Sequence, residues 1–138
     1  MAVIGGWTKG YLALDGTDLT DHTVSFALTQ DAEEVDVTTF GDDTRQFQAG
    51  YKNWALVAEL DQDFASSKTH ATLSTLLGST LSVVARWHST KAVGSTNPNF
   101  TGGGVLLEYP PLDGSPGERL TVNIRIRGNG TLSASTST

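Results

Sequence analysis

The chain of 138 residues contains no cysteine, which excludes a disulfide framework, a thiolate zinc site and a cysteine nucleophile. It has only four prolines, and only 17% of its residues are charged. No apolar run approaches the ~20 residues that a transmembrane helix needs. The segment Met1–Gly6 also lacks the basic region and long apolar run of a secretory signal peptide. We therefore expect neither a disulfide-stapled secreted domain nor a membrane partner.

Residue patterns that carry catalysis or bind cofactors are also missing. The histidines, His22, His70 and His88, are scattered and lack metal-ligand spacing. No serine lies in Gly-x-Ser-x-Gly. The Gly102–Gly104 run precedes a predicted strand rather than a helix, so it does not predict a phosphate-binding loop. We predict no enzymatic activity, no metal and no cofactor.

Negative charge is concentrated in the first half of the chain. The formal net charge is −6, which opposes binding of nucleic acid through its phosphates. Residues 1–69 hold twelve acids and four bases, and residues 70–138 hold three acids and five bases. Either the acids lie on solvated faces, or surfaces of unlike charge meet between copies of the chain.

Alternating aliphatic residues predict several short strands. In Leu120–Arg127 every second residue is aliphatic, the pattern of a strand with one buried face. Similar patterns predict the further strands Gly10–Leu14, Thr23–Thr29, Val35–Thr39, Tyr51–Leu60, Leu81–His88 and Gly104–Tyr109.

One short helix is predicted where leucines recur at helical spacing between a Ser66–Ser67 cap and Gly78. Phe40–Gly50 and Val93–Gly104 read as loops, and residues 133–138 as a flexible low-complexity tail. The predicted fold is mostly β, a β-sandwich or partly open barrel with one short helix, built as a single domain over residues 1–138.

Residues 30–64 carry the most informative pattern. An acidic segment leads into Val-Asp-Val-Thr-Thr-Phe-Gly-Asp at 35–42, followed by an Ala-Gly turn and a long apolar strand that ends in Leu-Asp-Gln-Asp-Phe at 60–64. This order resembles the tail tube proteins, or major tail proteins, of long-tailed bacteriophages. The resemblance covers the motif at 30–64 and, in the layout of strands, most of the chain.

The resemblance implies a structural protein that forms hexameric rings stacked into a tail tube, the conduit for DNA during ejection. Its partners would be further copies of itself, with the tape-measure protein and double-stranded DNA held in the lumen without specific binding. It would belong to the virion tail and be assembled in the bacterial host cytoplasm.

The resemblance further implies that the Phe40–Gly50 loop reaches a neighbouring subunit. The aromatic side chains could anchor in a neighbour's pocket, and Arg45 could pair with an acid of the next subunit. The alternative is a hairpin that folds its aromatics onto its own core. The candidate contact residues are Phe40, Gly41, Asp42, Asp43, Arg45, Phe47 and Tyr51.

An acidic chain suits a DNA conduit, because like charge lets DNA slide where cations would hold it. Acids that alternate along a strand project from one face in a row, and the alternative is a solvated strip. The candidate lumen acids are Asp31, Glu33, Glu34, Asp36, Glu59, Asp61 and Asp63.

Two other functions remain open. One is a tail terminator or a secretion-system tube protein of related fold. The other is a carbohydrate-binding β-sandwich, which needs an exposed aromatic platform. Trp54 and Trp87 fall in apolar strand patterns and are predicted to pack in the core, whereas Trp7 lies outside any strand and is a candidate for an exposed interface.

Overall fold

The computed structural model describes residues 7–136. It confirms the mostly β prediction with one short helix, because eight strands join in one sheet in which every strand pairing is antiparallel. The strands are β1 Tyr11–Leu14, β2 Thr17–Asp18, β3 Thr23–Asp36, β4 Phe47–Asp61, β5 Thr80–Arg86, β6 Asn99–Glu108, β7 Thr121–Gly128 and β8 Ser133–Ser135. A 3₁₀ turn spans Thr20–His22, and helix α1 spans Thr69–Leu73. Within the described part, no helix is long and apolar enough to cross a bilayer.

The strand order is β2-β1-β5-β6-β7-β4-β3, with β8 added to β6. The sheet curls until its two ends meet: the Trp7 ring packs edge-on against Phe26 of β3, with ring centroids 5.1 Å apart. No backbone ladder among residues 7–136 joins β3 to β1 or β2. The sheet therefore forms a partly open barrel with an unpaired seam between β3 and β1.

The core lies inside this curled sheet and follows the predicted period of two. Val122, Ile124 and Ile126 of β7 are buried, while the residues between them are exposed or half-buried. Burial of each large aliphatic side chain stabilises the fold by about 1.5–3 kcal/mol. The same alternation on β4 and β5 supplies most of the opposing core, from Leu56, Ala58, Leu60, Leu81, Val83 and Ala85.

Three strands are longer than the sequence predicted. Strand β4 begins at Phe47, inside the predicted Phe40–Gly50 loop and across its Ala-Gly turn, because Phe47–Ala49 pair with Glu34–Asp36 of β3. The separate strands Thr23–Thr29 and Val35–Thr39 are one continuous strand, β3, because β4 pairs with it from Thr23 to Asp36. Strand β6 begins at Asn99, inside the predicted Val93–Gly104 loop, because β5 and β8 bond to its glycine-rich half from either side.

The helix and the tail also differ from prediction. Helix α1 has only five residues, and its N-cap is Lys68 without a side-chain cap bond. The predicted Ser66–Ser67 cap fails because Ser67 adopts a left-handed φ of 61°. Part of the predicted flexible tail forms β8, since Ser133–Ser135 pairs with Asn99–Thr101 of β6. Residues 137–138 lie outside the described part.

Candidate assembly interface

The β3–β4 hairpin extends beyond the barrel as an arm, defined as residues 29–53. Every residue of the arm is exposed. The two strands remain paired along it, from Asp31 opposite Asn53 to Asp36 opposite Phe47. A two-stranded ribbon without a buried face is only marginally stable in water. The arm therefore needs a covering surface that its own chain does not provide.

The tip of the arm, Val37–Gln46, is organised by its own hydrogen bonds. Thr38 donates its hydroxyl to the Gln46 carbonyl and accepts the Gln46 N–H at 2.8 Å. The Asp42 N–H donates to the Thr39 carbonyl at 3.0 Å, which closes a turn, and the Asp42 carboxylate accepts the Thr39 N–H at 2.9 Å. This turn holds Phe40 at its apex, where the ring is fully exposed. The single chain therefore already forms the turn that presents Phe40.

Arg45 has a partner within the arm. Its Nη1 donates to Asp36 Oδ2 at 2.9 Å, and both side chains are largely exposed. Hydrogen bonds from the Thr38 side chain and backbone, and then the bond from Arg45, lower the pKa of Asp36. Within the single chain Arg45 thus pairs with Asp36 of the same hairpin, and its pairing with an acid of the next subunit stays a prediction.

The aromatic side chains of the arm do not fold back onto the body. Phe40, Phe47 and Tyr51 are all exposed, Tyr51 at 82%. Val35 and Val37 add two more exposed apolar side chains on the same hairpin. The alternative in which the loop packs its aromatics onto its own core is therefore wrong.

The acids of β3 divide between the two faces of the arm rather than forming one row. Alternation along β3 places Asp31 and Glu33 on one face, and Glu34 and Asp36 on the other. The cross-strand pair Ser25–Glu59 places Glu59 on the face of Asp31. No side-chain hydrogen bond or ion pair within residues 7–136 engages Asp31, Glu33 or Glu34.

The candidate acids at the base of β4 already have partners within the chain. Glu59 accepts a hydrogen bond from the Thr121 hydroxyl at 3.1 Å, and Asp61 accepts one from Arg119 Nη2 at 2.6 Å. Asp63 accepts the Ala65 N–H at 2.9 Å and lies 2.8 Å from His22 Nε2.

Two of the groups that form these contacts have shifted pKa values. The Ala65 N–H, followed by His22, lowers the pKa of Asp63, and the bond to Asp61 raises the pKa of Arg119. Among the seven candidate acids, Glu59, Asp61 and Asp63 therefore have partners at the base of the barrel, whereas Asp31, Glu33 and Glu34 on the arm have none among the described side chains.

A second feature, which the sequence patterns did not reveal, is a groove at the open seam of the barrel. Trp7 bridges it by donating its indole N–H to the Trp87 carbonyl at 2.7 Å. Trp87 was predicted to be core but is only half-buried, because it follows the last residue of β5; Trp54 is buried as predicted. The seam groove is lined chiefly by Trp7, Phe26, Leu28, Arg86, Trp87 and Phe100.

The described residues contain no group of three or more His, Asp or Glu side chains placed to hold a metal ion. Three features present exposed apolar side chains or unpaired backbone groups: the arm, the seam groove and the outer edge of β3. All three are suited to contact with another chain.

Comparison with known proteins gives matches in structure only. No protein-family model matches the chain, and no curated protein matches it by sequence. A chain of the virion of a native gene transfer agent particle has the same fold, with a TM-score of 0.76 at 14% identity over 96% of this chain and 99% of that one.

Two further structures are similar to this chain. A chain from the tail of an empty gene transfer agent particle, refined helically with C6 symmetry, has a TM-score of 0.69 at 17% identity over 92% and 94% of the two chains. Hcp1 from Flavobacterium johnsoniae has a TM-score of 0.54 at 11% identity over 94% and 97%. The chain therefore has the fold of these proteins along nearly its whole length.

Proposed function

We propose that this chain is a tail tube subunit, a structural protein that self-assembles into hexameric rings stacked as a tube. The observation that carries the proposal is the ordered, fully exposed arm with Phe40 at its apex. The fold shared with a chain from a C6-symmetric tail supports the same assembly. The particle chains with this fold are virion and tail components, which supports a structural rather than an enzymatic role.

The free edge of β3 supplies a second surface for assembly. This strand has 14 residues and pairs with β4 on one side only. A long free edge presents unpaired N–H and C=O groups that favour pairing with another chain. A contact between two different surfaces closes into a ring when its rotation divides a full turn. The β3 edge therefore suits a ring of identical subunits.

We assign the face of Asp31, Glu33 and Glu59 to the lumen. Asp31 and Glu33 have no partner among the described side chains, so their charge is free to repel phosphate. Arg125 and Arg127 of β7 lie on the same face, Arg125 at 3.8 Å from Glu108, so the repulsion would come from Asp31 and Glu33 on the arm. Such a lumen would hold the tape-measure protein and then pass DNA without binding it specifically. The assembled product would reside in the virion tail after assembly in the host cytoplasm.

A secretion-system tube protein or a tail terminator is the second candidate. The fold is shared with Hcp1 as well as with the two particle chains, so the fold alone does not choose between these roles. A carbohydrate-binding function has less support, because Trp7 packs edge-on against Phe26 and Lys91 covers the Trp87 ring at 5.0 Å. These contacts engage the two indoles that would have to supply an aromatic platform for a sugar.

The test is to purify the chain and follow its assembly by negative-stain electron microscopy and sedimentation. We expect long uniform tubes above a critical concentration; isolated rings would favour the second candidate. Phe40→Ala should raise the critical concentration at least tenfold, because burial of a Phe ring contributes about 1.5–3 kcal/mol. Thr44→Ala on the same tip is the matched control and should assemble normally. A monomer at every concentration would contradict the proposal.

A further inference from the structure

The seam groove has the dimensions and lining of a binding pocket. It encloses ≈ 390 Å³ between β3 and the end of β5, within the ~300–1,000 Å³ typical of sites that bury an apolar group. Its walls are aromatic and aliphatic, and Trp7 at its rim is 50% exposed. An exposed apolar groove of this kind marks an interaction surface.

Cations surround the groove. Lys9 lines the adjoining depression beside Trp7, and Lys91 lies over the Trp87 ring at 5.0 Å. Neither lysine forms an ion pair within residues 7–136. Desolvation, and then the charges of Lys91 and Lys9, lower the pKa of His88. None of the residues that line the groove or the adjoining depression is acidic.

The arm has the complementary character. It carries six acids and two bases, and its tip presents the fully exposed Phe40 beside Asp43. Glu34 lies on the face of the arm opposite to the acids assigned to the lumen. An apolar groove with unpaired cations and an apolar tip with unpaired acids thus occur on the same chain.

The arm cannot reach the groove of its own chain. Gln30 lines the groove at the root of the arm, whereas the tip begins beyond Asp36. Six residues of strand separate these points by about 20 Å at ~3.4 Å per residue. The β3–β4 ladder holds this length extended. The groove and the tip can therefore meet only between copies.

We propose that the seam groove receives the arm tip of a neighbouring copy, with Phe40 buried beside Trp7 and Trp87, and with Asp43 and Glu34 facing Lys9 and Lys91. The proposal rests on the proposed function, since it requires assembled subunits. The arm tip would thus bind in the seam groove, at the place where the barrel is open. The contact is heterologous, so each copy donates one arm and accepts one.

Because the chain has no native cysteine, any disulfide must join the introduced cysteines. One chain carries Asp43→Cys at the tip, and a second carries Ser89→Cys, whose native serine lines the depression beside the groove. The two chains are mixed, allowed to assemble and oxidised mildly. We expect a disulfide-linked pair of the two chains on a non-reducing gel. The control replaces Ser89→Cys with Glu118→Cys, an exposed site on the loop before β7, and should give no such pair.

A charge-reversal series tests the same contact without cross-linking. Lys9→Glu with Lys91→Glu should raise the critical concentration about tenfold, the effect of two partly screened ion pairs. Adding Asp43→Lys and Glu34→Lys to that chain should restore assembly, because the same two charge pairs re-form with opposite sign. A merely structural role of the lysines would not be rescued by changes on the arm.

Three outcomes overturn the inference. Tubes that form normally without the tip-to-groove disulfide, or with the tip linked to Glu118→Cys, assign the groove to another occupant and leave the proposed function intact. A reversed chain that assembles normally but loses binding to a short duplex DNA assigns the cations to nucleic acid. A chain that forms neither tubes nor rings removes the proposed function and this inference together.

Discussion

At the scale of single residues, the packing of Trp54 explains the glycine-rich sequence of β6 and the end of β7. The indole is buried and donates its N–H to the Gly130 carbonyl at 3.2 Å. A Cβ at Gly102 would lie 2.8 Å from the indole, and a Cβ at Gly128 would overlap it. Gly102, Gly104 and Gly128 thus leave the space that the Trp54 indole occupies.

Gly128→Ala should destabilise the barrel by roughly 1–3 kcal/mol, because the new methyl group overfills the space under Trp54. Thermal unfolding followed by near-ultraviolet circular dichroism measures the change and reports the indole environment. The matched control is Gly103→Ala on the neighbouring strand, where a Cβ would lie 3.8–4.0 Å from the nearest atoms. Equal melting temperatures for the two variants would refute the idea that Gly128 makes room for Trp54.

At the scale of elements, the β3–β4 hairpin combines two kinds of structure. Its inner half belongs to the barrel, where Leu56, Ala58 and Leu60 are fully buried. Its outer half, the arm, has every residue exposed and is held by backbone pairing and by the Thr38, Thr39 and Asp42 bonds of the tip. The change occurs at Trp54, the last residue of β4 toward the arm that is buried.

Hydrogen exchange should separate these halves. In the dilute monomer, amides of residues 29–53 should exchange at least tenfold faster than those of β7, because a hairpin without buried contacts opens locally at little cost. In assembled tubes the arm amides should become protected, while those of β7 should change little. Arm amides that exchange equally fast in monomer and tube would mean that the arm is not covered by a neighbour.

At the scale of the whole molecule, charge is distributed by surface rather than simply by half of the sequence. The unpaired acids Asp31, Glu33 and Glu34 lie on the arm, while Lys9 and Lys91 lie around the seam groove. The acids at the base of the barrel are instead engaged by Arg119 and His22 within the chain. Although the net charge is −6, the unpaired acids of the arm and the lysines of the groove lie on different surfaces. This separation of charge suits head-to-tail assembly.

The lumen assignment predicts how DNA responds to a reversal of charge. Tubes of a chain with Asp31→Lys and Glu33→Lys, assembled with short duplex DNA present, should retain DNA at low salt and release it at high salt, because cations bind phosphate through counterion release. Co-sedimentation measures the retained DNA. Asp113→Lys with Glu118→Lys is the control, since it makes the same charge change on an exposed loop of the body. Equal retention by both variants would place Asp31 and Glu33 outside the lumen.

The sequence by itself determined the fold class and the alternating core. These follow from local order, because a strand with one buried face must alternate, as in Val122–Ile126. The exposure of Phe40 was left open between a contact with a neighbour and packing on the chain's own core, and the structure decided it. The resemblance at residues 30–64 identified the fold that the comparisons then confirmed.

Only the tertiary structure decided the rest. The full length of β3, the choice of Asp36 as the partner of Arg45, and the meeting of Trp7 with Phe26 depend on strand register and curvature. The seam groove exists because distant segments meet there without joining into a ladder. Such contacts arise from closing a twisted sheet, and no local pattern of residue types encodes where its two ends come to lie.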